Sequence, residues 1–109
     1  SSTAGFRAGA GVGAYSVSKA ALIMLTKVCA LEWGPNGIRV NCIAPGLIRT
    51  EFSRELWDNE TVGRGASAQT PLRRIGEPEE VAGAVVYFAS PASSFTTGET
   101  LILDGGALV

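Results

Sequence analysis

Tyr15 and Lys19 are the residues whose types and spacing best suit catalysis, because they stand four positions apart where an apolar helical pattern begins. Residues four apart on a helix lie side by side on one face. A phenol alone is a poor proton donor or acceptor near neutral pH. A neighbouring ammonium group favours the phenolate by roughly 4 kcal/mol at about 4 Å and an effective dielectric near 20. The pair could therefore act in acid/base catalysis.

The same spacing also has a structural interpretation, in which a half-buried tyrosine packs beside a lysine that extends its charge into water. Ser2, thirteen residues before Tyr15, could supply a hydroxyl that polarises a carbonyl. The chain has no histidine, so this serine would be a weak nucleophile, and hydrogen bonding is its expected task. The absence of histidine also argues against Ser-His-Asp triads and most zinc sites, and we expect no metal.

Helices and strands alternate along the chain, which predicts an α/β fold with a parallel sheet. Apolar periodicity predicts helices over residues 14–33 and 51–57 and a third beginning near Pro78, with strands over 38–44 and 100–104. The polar residues 58–70 read as a mobile connection. Two buried parallel strands need neighbours to be stable. We therefore expect these 109 residues to be part of a longer protein.

The glycines before the first helix imitate a dinucleotide-binding loop. Gly9, Gly11 and Ala14 fit the pattern G-x-G-x-x-A. A phosphate-binding loop requires a strand before the glycines, so that backbone N–H groups at a helix N-terminus face the pyrophosphate. No strand is predicted there, and the acid about twenty residues further on, Glu32, would lie inside the same helix. We therefore do not interpret this stretch as a phosphate loop.

The bulk composition limits the possible partners and location. The net charge is −1, which provides no basic surface for nucleic acid or anionic membranes. Uninterrupted apolar runs are short, so we expect no membrane-spanning segment and a cytoplasmic location. Cys29 and Cys42 have apolar neighbours and are expected to be reduced, unreactive thiols.

Several motifs together carry a resemblance to the short-chain dehydrogenase/reductase family. The family's serine followed by Tyr-x-x-x-Lys is matched by "SSTAG" and "GAYSVSKAAL". Its Asn-x-Ile-x-Pro-Gly-x-Ile-x-Thr segment is matched by "NCIAPGLIRT", and its C-terminal end resembles "PLRRIGEPEEVA" and "TGETLILDGG". The resemblance covers essentially the whole chain, in the family's order. A weaker similarity links "GLIRTEFSRELW" to the carbonyl and retinal reductases.

The resemblance implies a catalytic role for three residues. Tyr15 would exchange a proton with the substrate oxygen, and Ser2 would orient the substrate carbonyl. Lys19 would favour the tyrosine's anionic form and bind the hydroxyl groups of the nicotinamide ribose. The implied reaction transfers a hydride between a nicotinamide cofactor and a small carbonyl or alcohol substrate.

The resemblance also implies a cofactor-binding segment after the first strand. Pro45 and Gly46 would turn the chain beneath the nicotinamide, although alone they would read as an ordinary turn. Ile48, through its backbone, and Thr50, through its hydroxyl, would bind the carboxamide, with Tyr15 and Lys19 completing the cofactor contacts. The cofactor is NAD or NADP, and the residues that choose between them lie outside this sequence.

On this resemblance, residues 1–109 are the C-terminal catalytic half of one doubly wound Rossmann-type domain, without its N-terminal cofactor-binding half. Helix 14–33 is apolar around much of its circumference, which predicts a homodimer or homotetramer interface. Two alternatives remain. One is a truncated, non-catalytic homologue that acts as an association module. The other is a small soluble domain with an accidental Tyr-x-x-x-Lys, which the agreement of the other motifs argues against.

Overall fold

The computed structural model describes all 109 residues as an α/β arrangement around a short parallel sheet. Single turns of 3₁₀ helix at residues 3–5, 34–36 and 91–93 separate the longer elements. In chain order these elements are α1 (Gly13–Trp33), β1 (Cys42–Pro45), α2 (Arg54–Trp57), α3 (Glu60–Ala68), α4 (Pro78–Ala89) and β2 (Thr100–Leu103).

Helix α1 confirms the longest predicted element and begins one residue earlier than expected. Its buried residues are Ile23, Thr26 and Ala30, which are spaced three and four apart and therefore share one face. The helix ends at Trp33, where a 3₁₀ turn containing Pro35 begins. Gly37 closes this turn with a φ of 75°, a left-handed conformation that glycine adopts without steric cost.

The two strands pair in parallel, with Cys42 opposite Thr100 and Pro45 opposite Leu103. The first strand is shorter than the predicted 38–44, because the residues just before it are held by side-chain hydrogen bonds and one backbone bond, from the Gly98 N–H to the Val40 carbonyl oxygen, instead of a continuous ladder. Asn41 donates its amide to the Thr96 carbonyl oxygen and accepts from the Glu99 N–H. The expected burial of β2 is wrong for this chain, in which Ile102 is 37% exposed.

Helix α3 contradicts the prediction that residues 58–70 form a mobile connection. The Asn59 side chain accepts from the backbone N–H groups of Thr61 and Val62, which satisfies donors at the helix start. Glu60 pairs with Arg64 one turn later. Gly63 and Gly65, which suggested a loop, both lie within the helix. Gly63 is buried, and a Cβ atom there would be 2.9 Å from the Trp57 carbonyl oxygen. Local capping therefore outweighs the low helix propensity of glycine.

Helix α4 begins as predicted, with Pro78 at its first position. Its start is a capping box, in which the Glu77 side chain accepts from the Glu80 N–H and the Glu80 side chain accepts from the Glu77 N–H. This cap fixes the entry of the chain into α4, next to the loop that follows β1.

Large apolar residues of α1 remain uncovered within this chain. Met24 is 59% exposed, Leu25 is 55% exposed and Leu31 is 79% exposed. With the turn after it, α1 is also long and apolar enough to cross a membrane by length and composition, which corrects the expectation that no segment qualifies. Core helices of soluble proteins pass the same test, so this is weak evidence for a membrane. Cys29 and Cys42 are unpaired, and Cys42 is buried, as expected.

Candidate functional site

Tyr15 and Lys19 lie together in the first two turns of α1. The Lys19 Nζ atom is 5.1 Å from the centroid of the Tyr15 ring, and Tyr15 is 39% exposed. The four ion pairs of the chain all use arginines, and neither the Tyr15 hydroxyl nor the Lys19 ammonium has a polar partner in the chain. Both groups are therefore free to bind a ligand. Their predicted proximity is confirmed, whereas their catalytic role stays a prediction.

Ser2 lies in an N-terminal segment that packs against α1. The Ser1 hydroxyl donates to the Lys19 carbonyl oxygen at 2.8 Å, and the Ser1 backbone nitrogen donates to the Ile43 carbonyl oxygen at 2.9 Å. Gly5 lies so close to α1 that a Cβ atom there would be 2.9 Å from the Lys19 carbonyl carbon. The Ser2 oxygen accepts from the Ala4 N–H at 3.2 Å. No hydrogen bond joins Ser2 to Tyr15, and its hydroxyl proton is available to a ligand.

Pro45 and Gly46 occupy the carboxyl end of β1, the edge of a parallel sheet where ligands bind in open α/β folds. The Gly46 N–H donates to the Leu103 carbonyl oxygen at 2.9 Å. A Cβ atom at Gly46 would lie 2.9 Å from the Cβ atom of Asp104, so only glycine fits without displacement. The Asp104 carboxylate is itself fixed, since it accepts from the N–H groups of Gly106 and Leu108.

The segment from Ile48 to Thr50 follows this turn and is held mainly by Ser53, which the sequence did not indicate. Ser53 is 8% exposed, and its hydroxyl donates to the Ile48 carbonyl oxygen at 2.5 Å. The Ser53 oxygen also accepts from the Thr50 N–H at 3.1 Å and lies 3.1 Å from the Thr50 hydroxyl oxygen. The Ile48 N–H has no acceptor in the chain. One free donor and one accessible hydroxyl therefore remain on this segment.

Trp57, the last residue of α2, supports the same segment and lies beside Arg49 within it. The Trp57 indole N–H donates to the Thr50 carbonyl oxygen at 2.9 Å. The Arg49 guanidinium lies 5.5 Å from the Trp57 ring, a cation–π distance, and pairs with Glu77 at 3.5 Å. The amphipathic pattern of residues 51–57 indicated a helix there but not these contacts.

Residues 74–80 also contact the Ile48–Thr50 segment, and an ion pair between Arg74 and Glu80 stabilises them. Ile48 forms a bridge with Gly76, whose N–H donates to the Leu47 carbonyl oxygen at 3.1 Å. Arg74 makes two hydrogen bonds to the Glu80 carboxylate, at 2.7 and 2.6 Å. Together with the Glu77 N–H, Arg74 lowers the pKa of Glu80 from 4.5 to about 2. The loop after β1 is thereby tied to the start of α4.

A cavity of about 610 Å³ opens beside this loop. Its lining includes Gly46, Ile48 and Thr3, the neighbour of Ser2, but not Tyr15 or Lys19. The predicted site residues thus occupy two places, with the Tyr15–Lys19 pair on α1 and the Gly46–Thr50 segment at the sheet edge. No group of histidine, cysteine, aspartate or glutamate residues has the arrangement of a metal site.

The family model described as enoyl-(acyl carrier protein) reductase matches residues 1–107. Dehydrogenase/reductase SDR family member 4 of Oryctolagus cuniculus is 47% identical over 106 residues, which cover 97% of this chain and 41% of that protein. The chain thus spans about two fifths of the length of this curated relative.

Two solved structures of dehydrogenases match the fold closely. 4-Hydroxyisoleucine dehydrogenase complexed with NADH has a TM-score of 0.96 at 37% identity, covering 99% of this chain and 44% of that one. Gluconate 5-dehydrogenase from Burkholderia cenocepacia J2315, in complex with NADP and tartrate, has a TM-score of 0.94 at 37% identity, covering 97% of this chain and 42% of that one. The two-stranded sheet is therefore a portion of a Rossmann-type sheet, and the chain belongs to the short-chain dehydrogenase/reductase family.

Proposed function

We propose that this chain provides the catalytic side of an NAD- or NADP-dependent oxidoreductase that interconverts a small carbonyl compound and its alcohol. The observation that carries the proposal is the Tyr15–Lys19 pair, in which the Lys19 ammonium lies 5.1 Å from the centroid of the Tyr15 ring and neither polar group has a partner in the chain. Family membership and the names of the two dehydrogenase structures support the same reaction class.

The polar groups left free on the loop after β1 fit a nicotinamide. A primary carboxamide has a carbonyl acceptor and an NH₂ donor side by side. The free Ile48 N–H can donate to that carbonyl, and the Thr50 hydroxyl oxygen is two residues away to accept from the NH₂ group. Gly46 has no side chain, so the turn before this segment can pack directly against Asp104. These residues would hold the nicotinamide, and Lys19 would bind its ribose.

In the proposed mechanism, Lys19 and the Ile48–Thr50 segment would hold a reduced nicotinamide, which would supply the hydride for the carbonyl carbon. Ser2 donates its hydroxyl proton as a hydrogen bond to the substrate oxygen and so orients the carbonyl. Tyr15 gives its phenolic proton to that oxygen as negative charge develops on it. The Lys19 ammonium stabilises the tyrosinate that remains, because opposite charges attract strongly where water is excluded. In the direction of alcohol oxidation, Tyr15 takes the proton back.

The assignment of residues 1–109 to the C-terminal half of one domain belongs to this proposal, as do a cytoplasmic location and a homodimer or homotetramer formed through α1. The uncovered apolar side chains of α1 support the interface, because contiguous exposed apolar surface is uncommon without a partner. The alternative of a non-catalytic homologue that acts as an association module would use the same helix and would not require Tyr15 or Lys19.

The experiment that tests the proposal compares the two lysines of α1 in the intact protein that carries this chain. Lys19→Met removes the proposed ribose contact, whereas Lys27→Met removes an exposed ammonium from the same helix, away from Tyr15. Isothermal titration with NADH and NADPH should show at least a tenfold loss of affinity for Lys19→Met, as expected for a lost hydrogen bond to a charged group. Lys27→Met should bind as the wild type does. Equal affinity for all three proteins would contradict the proposal.

A further inference from the structure

We propose that Ser53 is a positioning residue that makes the Thr50 hydroxyl a hydrogen-bond acceptor toward the cofactor and so lets the site recognise the amide nitrogen of the nicotinamide. This inference rests on the proposed function. Ser53 is more than nine-tenths buried, at 8% exposed. It would therefore act through Thr50, which is exposed.

The Ser53 proton has one preferred acceptor. Three oxygens lie within reach of the Ser53 hydroxyl: the Ile48 carbonyl at 2.5 Å, the Thr50 hydroxyl at 3.1 Å and the Thr50 carbonyl at 3.2 Å. A hydroxyl has only one proton to donate, and the closest oxygen by 0.6 Å or more is the Ile48 carbonyl. That carbonyl receives no other hydrogen bond that could replace it. The Ser53 proton therefore points to Ile48.

The direction of the contact between Ser53 and Thr50 follows from this assignment. Because the Ser53 proton is used on Ile48, the Thr50 hydroxyl must be the donor in the 3.1 Å contact between the two side chains. The Ser53 oxygen then accepts from the Thr50 hydroxyl and from the Thr50 N–H, which fills both of its lone pairs. The Thr50 hydroxyl has no proton left for a ligand.

Thr50 consequently presents an oxygen that can only accept: the Ser53 N–H reaches it at 3.4 Å and uses one lone pair, which leaves the other for a ligand. The Ile48 N–H two residues earlier can only donate. This order matches a carboxamide, which offers an acceptor and a donor, and it mismatches a methyl ketone, which has no N–H. The site should therefore distinguish nicotinamide dinucleotides from their 3-acetylpyridine analogues. Without Ser53, the Thr50 hydroxyl could turn its proton toward the ligand, where it would face the amide N–H instead of accepting from it. The preference for the carboxamide over the methyl ketone should therefore weaken.

The test measures, by isothermal titration on the intact protein, the ratio of the Kd for the 3-acetylpyridine dinucleotide to the Kd for the natural dinucleotide. The wild type should give a ratio of about ten, and Thr50→Val, which has no hydroxyl, should give a ratio within about twofold of one. Ser53→Ala should fall to within about threefold of Thr50→Val. Ser93→Ala serves as the matched control, because Ser93 is a fully buried hydroxyl bonded to the Phe88 carbonyl, outside this site. It should keep the wild-type ratio.

Ser53→Cys covers the case in which Ser53→Ala does not fold, since a thiol of similar size is a weak donor and a weak acceptor. It should give an intermediate ratio. If either Ser53 variant kept the Kd ratio of the wild type, Ser53 would be merely structural and the inference would be overturned. This holds even if that variant binds both dinucleotides more weakly. If the intact wild type binds neither NAD nor NADP, the proposed function itself is wrong. If the wild type binds the natural dinucleotide but gives a Kd ratio of one, the carboxamide contact is wrong, and the role of Ser53 is wrong with it.

Discussion

Replacing Gly46 by alanine tests whether the turn after β1 must pass as close to Asp104 as the structure shows. The added methyl group would lie 2.9 Å from the Asp104 Cβ atom and 3.0 Å from its Cα atom, whereas ordinary contacts are 3.4–4 Å. Asp104 cannot easily move away, because two backbone N–H groups hold its carboxylate, from Gly106 at 2.8 Å and from Leu108 at 2.9 Å. Overpacking of this kind costs about 1–3 kcal/mol. In a domain of roughly 150–250 residues this lowers the Tm by about 2 to 12 °C.

The assay is a thermal melt of the intact protein together with its affinity for the reduced cofactor, because any shift of Gly46 is passed on to Ile48 two residues later. Gly65→Ala is the matched control, since Gly65 lies inside α3 with nothing within 4 Å of its would-be Cβ atom. That substitution should stabilise the protein by roughly 0.4–1 kcal/mol. If Gly46→Ala had the same Tm and the same cofactor affinity as the wild type, the close contact between Gly46 and Asp104 would be wrong.

Two further predictions concern the charges and the exposed apolar surface. Because the pKa of Glu80 is lowered to about 2, its ion pair with Arg74 should add stability above about pH 4.5 and lose it as the pH falls toward 2. Glu80→Gln, which keeps an acceptor for the helix cap, should therefore lower the Tm at pH 7, and the difference should shrink between pH 4.5 and pH 3. A difference that does not depend on pH would contradict this reading. Leu31→Glu places a charge on the uncovered face of α1 and should convert an oligomeric intact protein to smaller species. Light scattering at micromolar concentration measures this, and a monomeric wild type would contradict the proposed interface.

The parts of the site that could be predicted from the sequence are those fixed by local periodicity. A spacing of four within a long apolar helix is enough to bring Tyr15 beside Lys19, and the structure confirms it. Pro-Gly after an apolar strand likewise indicates a turn at the sheet edge, where Gly46 is found. Such features depend on a few neighbouring residues, so tertiary context seldom alters them.

The contacts that hold the Ile48–Thr50 segment could not be predicted, because they depend on geometry that no pattern records. In the sequence, Ser53 is one of several polar residues in a polar stretch. Only the fold shows that its hydroxyl donates to the Ile48 carbonyl oxygen. The bridge between Ile48 and Gly76 joins residues 28 positions apart, and the turn-and-helix stretch between them sets the distance. Helix α3 was missed for a different reason, because the single Asn59 cap outweighs its glycines.

The Tyr15→Phe variant of the intact protein tests the central claim most directly, because it removes the proposed transferable proton and keeps the ring. The measurement is kcat for the reduction of a panel of small aldehydes and ketones with NADH and NADPH, with folding checked by circular dichroism. Tyr87→Phe is the control, since Tyr87 is the only other tyrosine and its hydroxyl lies 3.4 Å from Thr96, outside the site. We expect kcat to fall by roughly 10²–10⁴-fold or more for Tyr15→Phe and to change less than about twofold for Tyr87→Phe. If Tyr15→Phe kept more than about a tenth of the wild-type kcat, Tyr15 would not be the acid/base and the mechanism would be wrong.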